Sequence, residues 1–188
     1  MPFTELDANT ALLVVDLQKG VIGMPMAHPV EDVIANVTAL AEVFRKHQLP
    51  VVLVNVAGAP PGRTDNGPAP LHLLPGNWTH LIDELGQQPD DILVTKFTHS
   101  AFSGTGLADT LRAADVTQVV ITGIATSVGV ESTARDAHGD GFHVSLPLDA
   151  MTDLAPGPHE NSAGHIFPQI AETGTTAELL QLLDNSRR

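Results

Sequence analysis

The sequence predicts a single α/β domain, spanning residues 1–188, built around a mainly parallel sheet. Three observations carry that prediction. Short apolar runs alternate with segments whose apolar residues recur at helical spacing, the pattern of successive strand–helix units. The runs are nearly continuous in Val, Ile and Leu rather than alternating with polar residues, as strands covered on both faces must be. The composition also stays uniform, with no repeat, linker or second zone to mark another domain.

Each element follows in order along the chain. ALLVVD, residues 11–16, is the first strand, and Val30, Val33, Ile34, Val37, Leu40, Ala41 and Phe44 then recur as one face of a helix. PVVLVNV, residues 50–56, is the second strand, followed by a Pro- and Gly-rich stretch over residues 58–76 that reads as a long loop. DILVTK, residues 91–96, is the third, with Leu107, Leu111 and Ala114 marking the next helix. VTQVVITG, residues 116–123, is the fourth and leads into a helix opening near Ser127. FHVSLPLDA, residues 142–150, is the fifth, where Pro147 has no N–H to give a neighbour and so either weakens the strand or places it near an edge. Of two C-terminal helices, the first carries Ala163, Ile166, Phe167 and Ile170, and the second opens with the capping box Thr175-x-x-Glu178 before LLQLL.

Composition excludes several classes of function. Nine Lys and Arg against 22 Asp and Glu give a net charge of −13, the reverse of what a phosphate backbone attracts, so no nucleic-acid partner is expected. No apolar stretch is long enough to span a bilayer, and MPFTELDANT lacks the basic start and apolar run of a signal peptide, so no membrane partner and a cytoplasmic location are expected. Absence of cysteine removes disulfides, thiolate metal sites and a cysteine nucleophile. None of the nine histidines forms an HExxH pair, and His159 and His165, six apart, would not share a helix face, so no metal is expected.

In parallel α/β sheets ligands bind beyond the carboxyl ends of the strands, which directs attention to the polar residues there. Asp16 ends the first strand, Lys96 ends the third, and the turn over residues 123–129 ends the fourth. A lone buried charge is costly, so an Asp and a Lys at converging strand ends fit a mutual pair. They equally fit a helix-capping Asp and a surface Lys, and spacing leaves both readings open. Thr126 and Ser127 stand where a helix begins, and one of them is expected as its N-cap. GTG at residues 104–106 lacks the third glycine of a dinucleotide fingerprint and reads as a helix start. His99 and Trp78 fall near strand-end loops, where ordinary packing accounts for both.

VVDLQKG, VTKFTHSAFSGTGL, ITGIATSVGVESTARDA and LDAMTD, in that order and at these separations, resemble the isochorismatase-like hydrolase family, which includes the cysteine hydrolases. The resemblance runs from about Ala11 to the C-terminal helix. It implies a three-layer α/β/α sandwich with a six-stranded, mainly parallel sheet, a small-molecule substrate, no cofactor, and a homo-oligomer, dimer or tetramer. It places the family's catalytic Asp on Asp16, with Gln18 in the same D-x-Q block, and its catalytic Lys on Lys96. The cysteine of the amidase members falls on Gly129. A cis peptide is implied between Ile124 and Ala125, and Gln18, Ile124, Ala125, Thr126 and Val128 are the residues it offers for substrate binding. Some relatives hold zinc through an Asp and two His after the second strand, where this chain reads NVAGAPPGR.

With Gly129 the covalent thiolate route is closed. What remains is an acid or base, a cation, and N–H groups expected to be unpaired around residues 128–130. Members that hydrolyse isochorismate also carry Gly there. By that resemblance Asp16 acts as a general acid, protonating a vinyl-ether carbon so that water adds to the oxocarbenium ion. Burial beside LLVV raises the pKa of Asp16 and a nearby Lys96 lowers it, a balance the sequence leaves open. The turn G-I-A-T-S-V-G is closer to the cysteine-hydrolase wording than to the G-V-Y-A-H-x-G of isochorismatases. Besides Lys96, Lys19 and Arg63 are the cations available to substrate carboxylates. Two alternatives stand beside this reading: an amide hydrolase in which Asp16 activates water directly, and a catalytically silent member that binds a ligand.

Overall fold

The computed structural model describes residues 3–67 and 74–186, so residues 68–73 of the expected long loop lie outside the described residues. In chain order the elements are β1 (Thr10–Val15), α1 (Lys19–Ile22), α2 (Val30–Lys46), β2 (Val51–Val56), β3 (Ile92–Lys96), α3 (Leu107–Ala113) and β4 (Gln118–Ile124). A wide π turn over Thr126–Val130 then leads into α4 (Glu131–Gly139). After it come β5 (His143–Pro147), β6 (Met151–Thr152), α5 (Pro156–Asn161), β7 (Glu172–Gly174) and α6 (Thr176–Ser186).

The strands form one seven-stranded sheet in the order β3-β2-β1-β4-β5-β7, with β6 paired beside the end of β4, and every pairing is parallel. Six strands in line match the expected sheet, and β6 adds a seventh of two residues. All six residues of β1 are buried, and they divide between two cores as successive side chains on a strand must. Leu12 and Val14 pack with Val37, Leu40 and Phe44 of α2 and Leu179 and Leu183 of α6. Leu13 and Val15 pack with Leu107 and Leu111 of α3 and Ala134 and Ala137 of α4. Helices on both faces of the sheet make the three layers, and each fully buried Leu or Val contributes about 1.5–3 kcal/mol relative to exposure.

Two expectations about the C-terminal third are corrected. The fifth strand stops at Pro147 rather than at residue 150, and it lies between β4 and β7 rather than at an edge. Its proline is tolerated because it closes the strand, after which the chain bends through Leu148–Ala150 into β6. The expected helix carrying Ala163, Ile166, Phe167 and Ile170 begins earlier, as α5, and runs on through a π turn over Ser162–Ile166 and a 3-10 turn over Phe167–Gln169 that stops short of Ile170, where Pro168 has no N–H to continue an α-helix. The capping box forms as read. Glu178 Oε2 accepts the Thr175 N–H at 2.7 Å, and Thr175 Oγ1 accepts the Glu178 N–H at 3.3 Å. Among the described residues no helix is long and apolar enough to cross a membrane.

Candidate active site

The carboxyl ends of β1, β3 and β4 converge, and each delivers one expected residue. Asp16 follows β1 with φ at 53°, a left-handed conformation that turns the chain out of the strand, while its N–H still bonds to Val54 O of β2 at 2.9 Å. Lys96 is the last residue of β3 and lies in register with Val56. Its Nζ meets Asp16 Oδ2 at 2.8 Å and donates to His99 O at 2.7 Å. The side chains are 2% and 7% exposed, so of the two readings left open by spacing the mutual pair is the one that forms.

Burial dominates the electrostatics of Asp16. Enclosure among apolar neighbours pushes its carboxyl up to about 6, against an opposing pull from the Lys96 charge and hydrogen bond. Only one of its oxygens is used. Oδ1 is buried without a hydrogen-bond partner among the described residues, an arrangement that costs free energy unless a proton or a ligand completes it.

β4 ends against β1 at Gly123, whose φ is 111° and whose position admits no side chain, because a Cβ there would stand 2.0 Å from Val15 O. The peptide between Ile124 and Ala125 is cis, as the resemblance implied. In the turn that follows, Val128 and Val130 both donate to Ala125 O at 3.1 Å. The N–H groups of residues 128 and 130, expected to be unpaired, are therefore spent within the turn, because a π turn brings two donors onto one carbonyl. The cap is also not Thr126 or Ser127. Asp153, 3% exposed, accepts the Ser127 N–H on Oδ2 at 2.7 Å, while Thr126 Oγ1 contacts His159 Nδ1 at 2.9 Å. His159 lies edge-on to His28 at 4.6 Å between ring centroids, and burial together with that neighbour pushes it below the ordinary imidazole range.

Gly129 lies buried in this turn, facing the pair. A Cβ built on it would stand 3.3 Å from Asp16 Oδ2, 3.3 Å from Ile124 O and 3.0 Å from Val15 Cγ1. Carboxylate, ammonium and glycine turn thus occupy one neighbourhood. Ile124 is buried beside them, whereas Val128 is 42% exposed above the turn.

Gln18 has both ends of its amide engaged by backbone. Oε1 accepts the Val56 N–H at 2.8 Å, and Nε2 donates to Trp78 O at 2.9 Å and Val56 O at 3.2 Å. It frames the site by tying the end of β2 to the Trp78 segment, and both protons of its Nε2 are already committed to backbone carbonyls. The Trp78 indole lies directly on Gly20. The other expected cations are not brought to Asp16: Lys19 pairs with Asp83 at 3.2 Å, and Arg63 is exposed on the loop after β2. Among the described residues no three His, Cys, Asp or Glu are gathered to hold a metal ion. Sequence reasoning missed Asp153 and Thr133. Both lie inside blocks that carried the resemblance, LDAMTD and STARDA, which was the signal available.

Comparison with known proteins gives a consistent picture. The isochorismatase domain family matches residues 10–178. The chain is 36% identical over 179 residues to the isochorismatase family protein YwoC of Bacillus subtilis, covering 92% of this chain and 93% of that one. It is 51% identical over 100 residues to the ureidoacrylate amidohydrolase RutB of Stutzerimonas stutzeri, covering 53% of this chain and 37% of RutB. A solved isochorismatase family protein from Burkholderia thailandensis superposes with a TM-score of 0.91 at 36% identity, covering 96% of this chain and 98% of the other.

Proposed function

The chain belongs to the isochorismatase family, and on that premise we propose that it hydrolyses a small molecule without a covalent intermediate, with Asp16 as general acid on an enol-ether substrate of the isochorismate kind. The observation that carries this is the state of Asp16: a carboxyl raised to about 6 by burial, with Oδ1 unpartnered and a lysine on the other oxygen. A carboxyl at that value keeps its proton in about one molecule in ten at pH 7, enough for a proton donor poised near the working pH.

The step balances as follows. Asp16 gives its proton to the terminal carbon of the vinyl ether, leaving an oxocarbenium ion on the carbon bonded to oxygen. Water adds to that carbon, the hemiketal breaks its bond to the ring oxygen as its hydroxyl proton passes to that oxygen, and the products are an α-keto acid and a ring alcohol. The proton lost by water returns to Asp16. Before transfer Lys96 holds Oδ2 and orients the carboxyl, and afterwards it is the counter-ion of the carboxylate formed. Gly129, in this reading the family's nucleophile position, leaves room beside Asp16 Oδ2 that a side chain would occupy.

A second reading is supported by the likeness to ureidoacrylate amidohydrolase. Here the Asp16 carboxylate, present above about pH 6, takes a proton from water that attacks an amide carbon directly. The purified protein is incubated with isochorismate and with a panel of small amides, reading pyruvate and ammonia, beside Asp16→Asn. Pyruvate release that is lost in the variant supports the first reading, and ammonia release the second. Ligand binding with turnover of nothing would overturn both in favour of a silent member. Work as a cytoplasmic homo-oligomer belongs to the same proposal and is checked by light scattering and fractionation.

A further inference from the structure

Thr133 is fully buried on α4, four residues beyond Gly129. Its hydroxyl donates to Gly129 O at 2.6 Å and accepts the Ala101 N–H at 3.0 Å. A Thr in a helix often bonds the carbonyl four residues back, and that half of the arrangement needs no special purpose. The other half does, because Ala101 belongs to the loop after β3, 32 positions away in sequence.

That loop carries the second partner of Lys96. His99 O takes the 2.7 Å bond from Nζ, and Ala101 lies two residues further on. The stretch between is cross-braced: Thr98 Oγ1 donates to Ser100 O at 3.2 Å, the Phe102 N–H to Ser100 Oγ at 3.1 Å, and Thr105 Oγ1 to Ala101 O at 2.6 Å. A braced loop moves as a body, so displacement at Ala101 reaches His99 and then the ammonium. We propose that Thr133 is a positioning residue, whose single hydroxyl fixes the spacing between the Gly129 turn and the loop that seats Lys96 beside Asp16. The inference rests on the roles proposed for Asp16 and Lys96.

The test compares Thr133→Val, which keeps the shape and loses the hydroxyl, with Thr133→Ser, which keeps the hydroxyl. The first readout is the titration midpoint of the Asp16 carboxyl, followed by carbon NMR without substrate. The second is turnover of isochorismate, read as pyruvate release. In Thr133→Val the loosened ammonium pulls less on Asp16, so the midpoint moves up by about one pH unit, and kcat falls about tenfold with KM little changed. Thr133→Ser should stay within twofold in kcat with its midpoint in place.

A folded Thr133→Val with midpoint and kcat both unchanged would overturn the proposal. So would a folded Thr133→Ser whose midpoint moves, an outcome that remains informative where the Val variant does not fold. Because the titration uses no substrate, its failure is distinct from that of the functional reading, which falls if Asp16→Asn keeps full activity.

Discussion

Replacing Asp16 by Asn isolates one carboxyl in the pH dependence of stability. In the folded chain Asp16 titrates at about 6 instead of its ordinary 3.8, because burial penalises the carboxylate more than Lys96 favours it. A group with a raised folded pKa holds its proton more tightly folded than unfolded. Its contribution is fully present below 3.8 and is lost as pH climbs through about 6. A gap of about two pH units at 1.36 kcal/mol each comes to about 3 kcal/mol. The assay is urea unfolding of wild type and Asp16→Asn in parallel between about pH 4 and 8, where the groups away from the Asp16–Lys96 pair titrate alike in both. Relative to the wild type, the variant's stability should rise by about 2–3 kcal/mol as pH climbs across this window, and the difference should level off above about pH 7. A constant difference throughout would refute burial as the dominant influence, and a difference that changes with pH in the opposite direction would make the Lys96 attraction the larger one.

Three further outcomes follow from the same geometry. Gly129→Cys should fold at a cost of about 1–3 kcal/mol, because its Cβ meets Val15 Cγ1 at 3.0 Å; beside Asp16 Oδ2 its thiol should release ammonia from small amides, and an inert folded variant would show the remaining groups to be out of register for that chemistry. Gly20→Ala places a Cβ 1.9 Å from Trp78 Cδ1, so the only tryptophan of the chain must move and its fluorescence emission must shift; an unchanged spectrum would contradict the contact. Gln18→Leu leaves the Val56 N–H without its acceptor and should cost about 1–3 kcal/mol in urea unfolding, whereas a midpoint equal to wild type would deny the brace its role.

What the sequence revealed depended on how local the signal was. ALLVVD, PVVLVNV, DILVTK and VTQVVITG announced β1 to β4 because buried parallel strands exclude polar residues, and the same purity made Asp16 and Lys96 conspicuous at their ends. The Thr175 capping box is a relation over three residues and was equally legible. β6 and β7, at two and three residues, are too short to show a period. The cap of the Ser127 turn comes from Asp153, 26 positions away, and no local rule finds a partner at that distance. The expectation of free N–H groups failed at Val128 and Val130 for a related reason, since it assumed an α-helical opening where the chain forms a π turn. Thr133 has the appearance of an ordinary helix residue until the loop from β3 is placed against it.

The topology explains why the cation is a lysine. β1 and β3 are not neighbours, because β2 lies between them, so with strands 4.7–4.9 Å apart Asp16 and Lys96 start roughly 10 Å from each other. A cation from β3 must cross the end of β2, which calls for a long stem with a compact charge at its tip. The crossing also needs β2 to end at a fixed height. Val56, the register partner of Lys96, has both its N–H and its carbonyl held by Gln18. Two residues of the D-x-Q block thus serve one contact from opposite sides: Asp16 receives the ammonium, and Gln18 anchors the strand over which the lysine passes. Loss of the Gln18 brace should accordingly register at Asp16 as well as in stability, raising the carboxyl further as its counter-ion loosens, and a titration midpoint unmoved in Gln18→Leu would separate the two residues into independent roles.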